Sequence, residues 1–308
     1  GGAGLGIGYI SPVSTLVKWF PDRRGMATGL AIMGFGFASA ISGPAIKILI
    51  DEVGISSTFY ILGAIYFVVM FTSAQYLSTP PEGYMPERFS KAVAEGKKKI
   101  KEDLASLTRE EAIKTGRFYG LWIMLFINVT CGIAIISVAS PLLQEVLGVS
   151  ALAAASAVGL MGIFNGSGRI IWAGISDYLT RPVVFVIFFV TQILAFYFLT
   201  TVTSILLFQV LVYYIMTCYG GAFASIPAYI GDIFGTKQLG AIHGYILTAW
   251  ALAGLVGPII IAYVKDTTGS YVGTLYVFVG LFFVALITSI LMMINIKKVR
   301  VKNLEANA

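Results

Sequence analysis

A single arginine, Arg169, lies within a long apolar stretch of the sequence, residues 150–175. The nearest other charged residues along the chain are Glu145 before it and Asp177 after it. A charged side chain at the centre of a membrane-spanning helix costs at least about 2.5–3.5 kcal/mol, and such a residue usually faces a polar cavity and has a partner. None of the apolar stretches carries a carboxylate in its interior. The chemistry that Arg169 predicts is therefore the binding of an anion from outside the chain.

Two other interpretations of this arginine and its neighbours stay open at the level of sequence. Arg169 precedes Asp177 by eight residues, which is about 12 Å along a helix, so its side chain could snorkel towards that end of the span or pair within the protein. Asn165, one turn earlier, and Asn128 either line the same cavity or form hydrogen bonds between helices.

The composition predicts an all-α membrane protein. Hydrophobic residues make up 57% of the chain and charged residues 12%, whereas soluble proteins carry about 25% charged residues. A helix needs about 20 residues to cross the hydrocarbon core, and long apolar runs without alternation do not suit barrel strands. Nine apolar stretches are predicted to be spanning helices: 1–20, 26–50, 57–78, 118–146, 150–175, 182–201, 204–233, 240–264 and 272–296.

The sequence contains no residue pattern typical of an enzyme, a cofactor site or a metal site. Cys131 and Cys218 both fall inside predicted spans, where small polarizable side chains serve packing. His243, the single histidine, stands at the start of a span, and we interpret it as a helix-end residue rather than a proton relay. No catalytic activity, cofactor or metal is expected.

The basic residues predict the orientation of the chain. Eighteen of the 21 Lys and Arg residues lie in alternate connections, and the other connections hold only Lys47 and Lys265. Because cytoplasmic loops carry the excess of positive charge, this distribution predicts a multi-pass protein of the cell membrane with a cytoplasmic C-terminus. The formal charge of +6 is explained by this topology, so no nucleic-acid partner is expected.

An internal repeat organises the chain. The same spacing of proline and glycine occurs twice: Pro12, Gly25, Gly29 and Gly43-Pro44, then Pro227, Gly240, Gly244 and Gly257-Pro258. Both copies end one span and begin the next in the same direction, which is typical of major facilitator transporters built from two parallel six-helix halves. Three spans precede the second copy within its half and none precedes the first, so the visible chain is expected to be helices four to twelve of twelve.

This numbering predicts four regions. Residues 1–78 are the last three helices of the N-terminal half, 79–116 a cytoplasmic linker, 117–296 the six-helix C-terminal half, and 297–308 a cytoplasmic tail. The linker is expected to contain a surface helix with one apolar face, and Thr108-x-x-Glu111 fits a helix-capping box. That apolar face is formed by Phe89, Val93, Ile100, Leu104 and Leu107.

Several motifs resemble those of the oxalate/formate antiporter family of the major facilitator superfamily, to which monocarboxylate transporters are related. They are Lys18-Trp19-Phe20-Pro21-Asp22-Arg23-Arg24-Gly25, Ala27-Thr28-Gly29, Gly168-Arg169-Ile170-Ile171-Trp172, Ser176-Asp177, Gly235-Thr236-Lys237, Gly240-Ala241 and Gly244. The resemblance covers the whole visible chain. It implies the twelve-helix fold and the transport of small carboxylates.

The resemblance also implies a substrate site. In this family the substrate lies between an arginine on helix eight and a lysine on helix eleven, within a group of aromatic residues. Arg169 matches the arginine, whereas Ala253 stands in the place of the lysine. The matching aromatic residues are Tyr9, Phe35, Tyr219, Phe223 and Trp250. We expect Asn165 to join them.

The turn after the eighth helix departs from the resemblance. The usual Asp-Arg-x-Gly-Arg is Asp177-Tyr178-Leu179-Thr180-Arg181 here, and loss of the basic residue and the glycine is expected to weaken a cytoplasmic latch.

The function expected from all these features is secondary transport of small organic anions, above all monocarboxylates, by a monomer that works by alternating access. Two alternatives remain: a proton-coupled monocarboxylate symporter, and a non-transporting membrane sensor on a carrier fold. The identity of the carboxylate and the choice between antiport and symport are not determined by the sequence.

Overall fold

The protein is a helical bundle. The computed structural model describes residues 2–81, 83–97 and 102–306, and no β-strand occurs among them. The helices in chain order are α1 (Gly2–Trp19), α2 (Arg24–Ile32), α3 (Gly34–Ala74), α4 (Glu87–Ala94), α5 (Arg109–Ile113), α6 (Gly116–Leu147), α7 (Ala151–Leu179), α8 (Arg181–Leu199), α9 (Ile205–Phe234), α10 (Leu239–Ile246), α11 (Thr248–Thr268) and α12 (Val272–Ala306). The predicted all-α fold is confirmed.

The helices match the predicted apolar stretches. Within the described residues, seven segments are long and apolar enough to cross a membrane, and α1 and α7 are not among them. These two helices nevertheless pack inside the bundle, α1 against α2 and α10, and α7 against α2, α3 and α9. Two predicted spans contain a break, and α12 continues ten residues beyond the predicted end at 296. The chain is a multi-pass membrane protein.

The breaks in the helices follow the sequence repeat. The first copy has a proline within α1, the short helix α2, a break at Met33 and then α3. The second copy has a proline within α9, the short helix α10, a break at Leu247 and then α11. A further kink divides α3 at Gly54, whose φ of 78° and ψ of 166° are non-helical. Glycine adopts this backbone conformation without steric cost.

Helix α7 is clamped between two neighbours through glycines that flank Arg169. A Cβ atom on Gly29 of α2 would lie 2.5 Å from the Arg169 carbonyl oxygen, and one on Gly220 of α9 would lie 3.1 Å from Arg169 Cγ. Only glycine permits this approach of the backbones, as at helix interfaces in membranes generally. The turn of α7 that carries Arg169 is therefore held from two sides, by α2 and by α9.

The linker differs in part from the prediction. Thr108 and Glu111 form the predicted capping box at the start of α5, and the backbone N–H of Thr108 lowers the pKa of the Glu111 carboxyl. The predicted apolar face, however, does not continue as one helix after α4. The backbone N–H groups of Leu104 and Leu107 instead donate to the carbonyls of Asp232 and Phe234, both at 2.9 Å, because the end of α9 offers free carbonyls. Ile100 lies outside the described residues.

Candidate anion-binding site

Arg169 is buried in the middle of the bundle, with 6% of its surface exposed. Its Nε donates to Asn165 Oδ1 at 3.1 Å, and its Nη1 donates to the carbonyl oxygen of Ile32 at 3.4 Å. Asn165 lies one turn earlier on α7, and Ile32 is the last residue of α2, where the helix leaves carbonyls in need of an outside donor. These two bonds orient the guanidinium group and leave its remaining N–H groups available.

The charge of Arg169 has no counter-ion in the described part of the chain. Its polar partners there are the Asn165 side chain and a backbone carbonyl, both neutral. A buried charge without a partner of opposite sign is costly. Snorkelling, the alternative considered from the sequence, does not describe this conformation, because the guanidinium lies among rings and neutral acceptors inside the bundle. The arrangement suits an anionic ligand.

Aromatic rings from four helices surround the guanidinium. The Cζ atom of Arg169 lies 5.2 Å from the ring centre of Phe223 and 5.8 Å from that of Phe35. Tyr9 packs against both rings, with centroid distances of 5.9 Å and 5.6 Å. Trp250 lies 5.2 Å from Phe223 and 6.3 Å from Tyr9. The structure thus brings these four predicted site residues together around Arg169, and we call them the aromatic cage.

Asn165 and Tyr219 lie beside the cage. Asn165 accepts the hydrogen bond from Arg169 and donates from Nδ2 to the Met216 carbonyl at 3.4 Å, so it links α7 to α9. Tyr219 is buried, and its ring fills the space over Gly132, where a Cβ would lie 2.6 Å from the ring. No ring contact between Tyr219 and the cage occurs among the described residues.

Asn128 serves the connection between helices. Its Nδ2 donates to the Tyr219 carbonyl at 3.3 Å, and its Oδ1 accepts from Gln192 Nε2 at 3.0 Å. These bonds tie α6 to α9 and α8. Of the two interpretations left open by the sequence, the structure supports the hydrogen bond between helices.

His243 is the residue that the sequence interpretation missed. It lies in the last turn of the short helix α10, which agrees with its interpretation as a helix-end residue, but its ring is completely buried, with a centroid 5.6 Å from that of Tyr9. Neither His243 nitrogen has a hydrogen-bond partner among the described residues, and the same holds for the Tyr9 hydroxyl. Buried polar groups are nearly always paired with protein or water. No local pattern in the sequence indicates this position, because it depends on how α10 packs against α1.

Ala253, at the position where the sequence resemblance implies a lysine, lies one turn beyond Trp250 on α11. Its surface is completely buried. One turn further, a Cβ on Gly257 would lie 2.8 Å from the carbonyl oxygen of Thr130 on α6. Small residues on this stretch of α11 thus allow it to approach α6 closely, and no cation stands at the position.

A network of charges joins the helices at the end of the bundle that carries the C-terminus of α7. The backbone N–H groups of Gly25 and Met26, at the start of α2, donate to the two carboxylate oxygens of Asp177, each at 2.9 Å. Arg181 binds Asp177 at 2.7 Å and lies 3.5 Å from Asp232 on α9. A carboxylate at a helix N-terminus satisfies free donors and complements the helix dipole. We call this group the latch.

The departures from the family motif do not prevent the latch from forming. Arg24 extends it by binding Asp103 of the linker at 2.5 Å. The missing glycine has a visible consequence, since Thr180 adopts φ 73° and ψ 146°. This backbone region is nearly exclusive to glycine and costs about 1–3 kcal/mol for other residues. The expected weakening therefore takes the form of backbone strain, and the contacts themselves are present.

Comparison with known proteins agrees with this geometry. The profile of the Major Facilitator Superfamily matches residues 1–258. The chain is 27% identical to the oxalate:formate antiporter of Oxalobacter formigenes over 260 residues, which is 83% of this chain and 59% of that protein. It is 26% identical to monocarboxylate transporter 12 of Xenopus laevis over 290 residues, 88% of this chain and 62% of that protein. The chain thus spans about three fifths of the length of these relatives.

A solved structure shows the same fold. The major facilitator transporter FucP, in its outward conformation, superimposes with a TM-score of 0.65 over 94% of this chain and 82% of its own, at 11% sequence identity. The profile match covers more than half of the chain, and the helical bundle agrees with it. The chain belongs to the Major Facilitator Superfamily of membrane transporters.

Proposed function

We propose that this protein is a secondary active transporter of small organic anions, in particular monocarboxylates, and that Arg169 binds the substrate carboxylate. The observation that carries the proposal is a buried arginine with no counter-ion in the described part of the chain, held inside an aromatic cage. Arginine binds carboxylates through two parallel N–H groups, which gives both affinity and orientation. The names of the relatives, an oxalate:formate antiporter and a monocarboxylate transporter, support the same substrate class.

The mechanism that fits this arrangement is alternating access between the two halves. Tyr9 and Phe35 come from the N-terminal half, whereas Phe223 and Trp250 come from the C-terminal half, so the cage is shared between the two halves. In our proposal, separation of the halves at the latch opens the cage to one side of the membrane. In this proposal the protein lies in the cell membrane. The basic residues of the loops support a cytoplasmic location for the latch and for the C-terminus.

The single cation favours a substrate with one negative charge. Arg169 can offset one carboxylate, whereas a dicarboxylate brings a second charge into the cage, and an unpaired buried charge costs several kcal/mol. Ala253 supplies no second cation. Formate, lactate or a similar small monocarboxylate is therefore expected to bind more tightly than oxalate.

A second candidate function, proton-coupled symport of the same anions, is favoured by one observation. His243 is buried against Tyr9 with both nitrogens free of protein partners in the described part of the chain. Histidine is the side chain whose unperturbed titration lies nearest neutral pH. If it carries a co-transported proton, an imposed pH gradient drives uptake, and His243→Gln leaves anion exchange intact while it abolishes this drive. Anion exchange whose rate does not change with the imposed pH gradient would support antiport.

The experiment that tests the proposed function is exchange of labelled formate or lactate by the whole protein in proteoliposomes. We expect Arg169→Gln to lose exchange almost completely while the protein still inserts and elutes as a folded species. Lys47→Gln is the matched control, because it removes the same charge from an exposed ion pair with Asp51. Near-normal exchange by Arg169→Gln would refute the role of Arg169, and equal loss in Lys47→Gln would show a general effect of charge.

A further inference from the structure

A groove between α6 and α12 lies at the same end of the bundle as the latch and away from the aromatic cage. Its cavity volume is about 670 Å³. We call it the α6–α12 groove, and its walls are formed chiefly by Arg117, Ile123, Leu291, Met292, Asn295 and Lys298. It thus combines two cations with an apolar wall.

Arg117 lines this groove and carries hydrogen-bond donors that the described part of the chain does not use. Its Nε and Nη1 atoms are buried, and neither has a partner among the described residues. The described ion pairs and ring contacts of the chain do not include this guanidinium. A buried charged donor without an acceptor costs more than a neutral one. Rotation of the Arg117 side chain towards an anion in the groove would give these donors an acceptor and remove this cost.

The two cations stand where the helices leave the hydrocarbon. Arg117 is the second residue of α6, and Lys298 lies near the end of α12, whose 35 residues exceed the length of about 20 that a span requires. Lys298 is followed along α12 by further basic residues, Arg300 and Lys302. The charged part of the groove is therefore placed at the level of lipid headgroups.

The rest of the groove runs into the apolar part of the span. Thr288, at its far end, precedes Lys298 by ten residues, which is about 15 Å along α12. Along this distance the wall includes Ile123, Met292 and Leu291, and the last of these is 61% exposed on the outer surface of the bundle. A groove with cations at one end and apolar side chains along about 15 Å fits a molecule with an anionic head and a hydrocarbon tail.

We propose that the α6–α12 groove binds an anionic phospholipid, with its phosphate on Arg117 and Lys298 and an acyl chain along Ile123 and Met292. A basic pocket between spanning helices is a known form of lipid recognition. Free phosphate satisfies the same two cations but leaves the apolar wall without a function. The proposal is independent of the substrate in the cage.

The test is thermal unfolding of the purified whole protein with added phosphatidylglycerol, phosphatidylcholine or inorganic phosphate, together with native mass spectrometry of lipid adducts. We expect phosphatidylglycerol to raise the melting temperature more than the other two additions and to remain bound. Arg117→Gln and Lys298→Gln are each expected to weaken its apparent affinity about fivefold, since one Lys or Arg contributes about 1 kcal/mol near an anionic surface.

Lys297→Gln is the matched control, because it removes the same charge one residue away and does not line the groove. Its affinity for phosphatidylglycerol is expected to stay unchanged. Equal losses in Lys297→Gln and Lys298→Gln would show general attraction to the basic helix end and overturn the site. Equal stabilisation by inorganic phosphate would show a free-anion site instead of a lipid site. If Arg117→Gln does not fold, the comparison of phosphatidylglycerol affinity between Lys298→Gln and Lys297→Gln still tests the proposed site.

Discussion

Replacing Arg169 by lysine keeps the charge in the cage and changes only the number and geometry of its donors. The guanidinium has five N–H donors, of which one is used by Asn165 and one by the Ile32 carbonyl. The remaining donors can form two parallel bonds to a carboxylate. A lysine ammonium has three donors on a flexible stem, so satisfying the same two protein acceptors leaves it one for the substrate.

The lysine variant should therefore lose about one charge-assisted hydrogen bond, worth about 1.5–3 kcal/mol. Because about 1.4 kcal/mol corresponds to a tenfold change in a dissociation constant, substrate affinity should fall about 10- to 150-fold. The assay is binding of formate or lactate to the whole protein by quenching of Trp250 fluorescence or by calorimetry, followed by exchange in proteoliposomes. An Arg169→Lys variant that binds within about threefold of the unchanged protein would refute bidentate recognition and leave only a general charge effect.

Three further predictions concern the cage, the helix packing beside it and the latch. Ala253→Lys should increase the inhibition of monocarboxylate exchange by oxalate relative to formate, because a second cation offsets the second charge; unchanged selectivity would contradict the charge-matching argument. Gly220→Ala should lower stability by about 1–3 kcal/mol through overpacking, because its Cβ would lie 2.2 Å from the carbonyl oxygen of Asn165. Gly280→Ala, in open space on α12, should not lower stability, and thermal unfolding compares the two variants. Thr180→Gly should stabilise the latch by up to about 2 kcal/mol, because the relief of about 1–3 kcal/mol of backbone strain exceeds the cost of the entropy that glycine adds to the unfolded chain. Thr180→Ala keeps the strain and should therefore show no gain in melting temperature.

The spans and the repeat could be predicted because they depend on properties that act locally. Twenty or more apolar residues have to form a helix in lipid, since backbone groups have no other partners there. The recurrence of Pro12 and Gly25 as Pro227 and Gly240 likewise predicts the same local helix geometry in both copies. The helices are interrupted at Met33 in the first copy and at Leu247 in the second. The prediction of one helix through the linker was wrong because the decisive contacts there are not local. Leu104 follows helical spacing, but the backbone carbonyl that accepts its N–H belongs to α9, which is distant in the sequence.

The site residues likewise divide into those that a local sequence pattern indicates and those that depend on how helices pack. A charge in an apolar helix stands out in any sequence, so Arg169 could be found without coordinates, and resemblance to a family supplied Tyr9 and Trp250. His243 could not be found this way, because its place against Tyr9 depends on how α10 packs on α1. Residues far apart in sequence become neighbours only when two helices meet, and no local pattern records that meeting.

The sequence by itself indicated which segments are apolar enough to span a membrane, where charge is concentrated and that one arginine stands within an apolar segment. Only the tertiary structure decided which groups surround that arginine. Asn165 and the Ile32 carbonyl accept its hydrogen bonds, and aromatic rings from four helices form the walls around it. No carboxylate contacts it among the described residues. The physical reason is range. Hydrophobicity and helix formation act over a few turns of one chain segment, whereas the electrostatic environment of a buried charge is set by every helix that packs within a few ångströms of it.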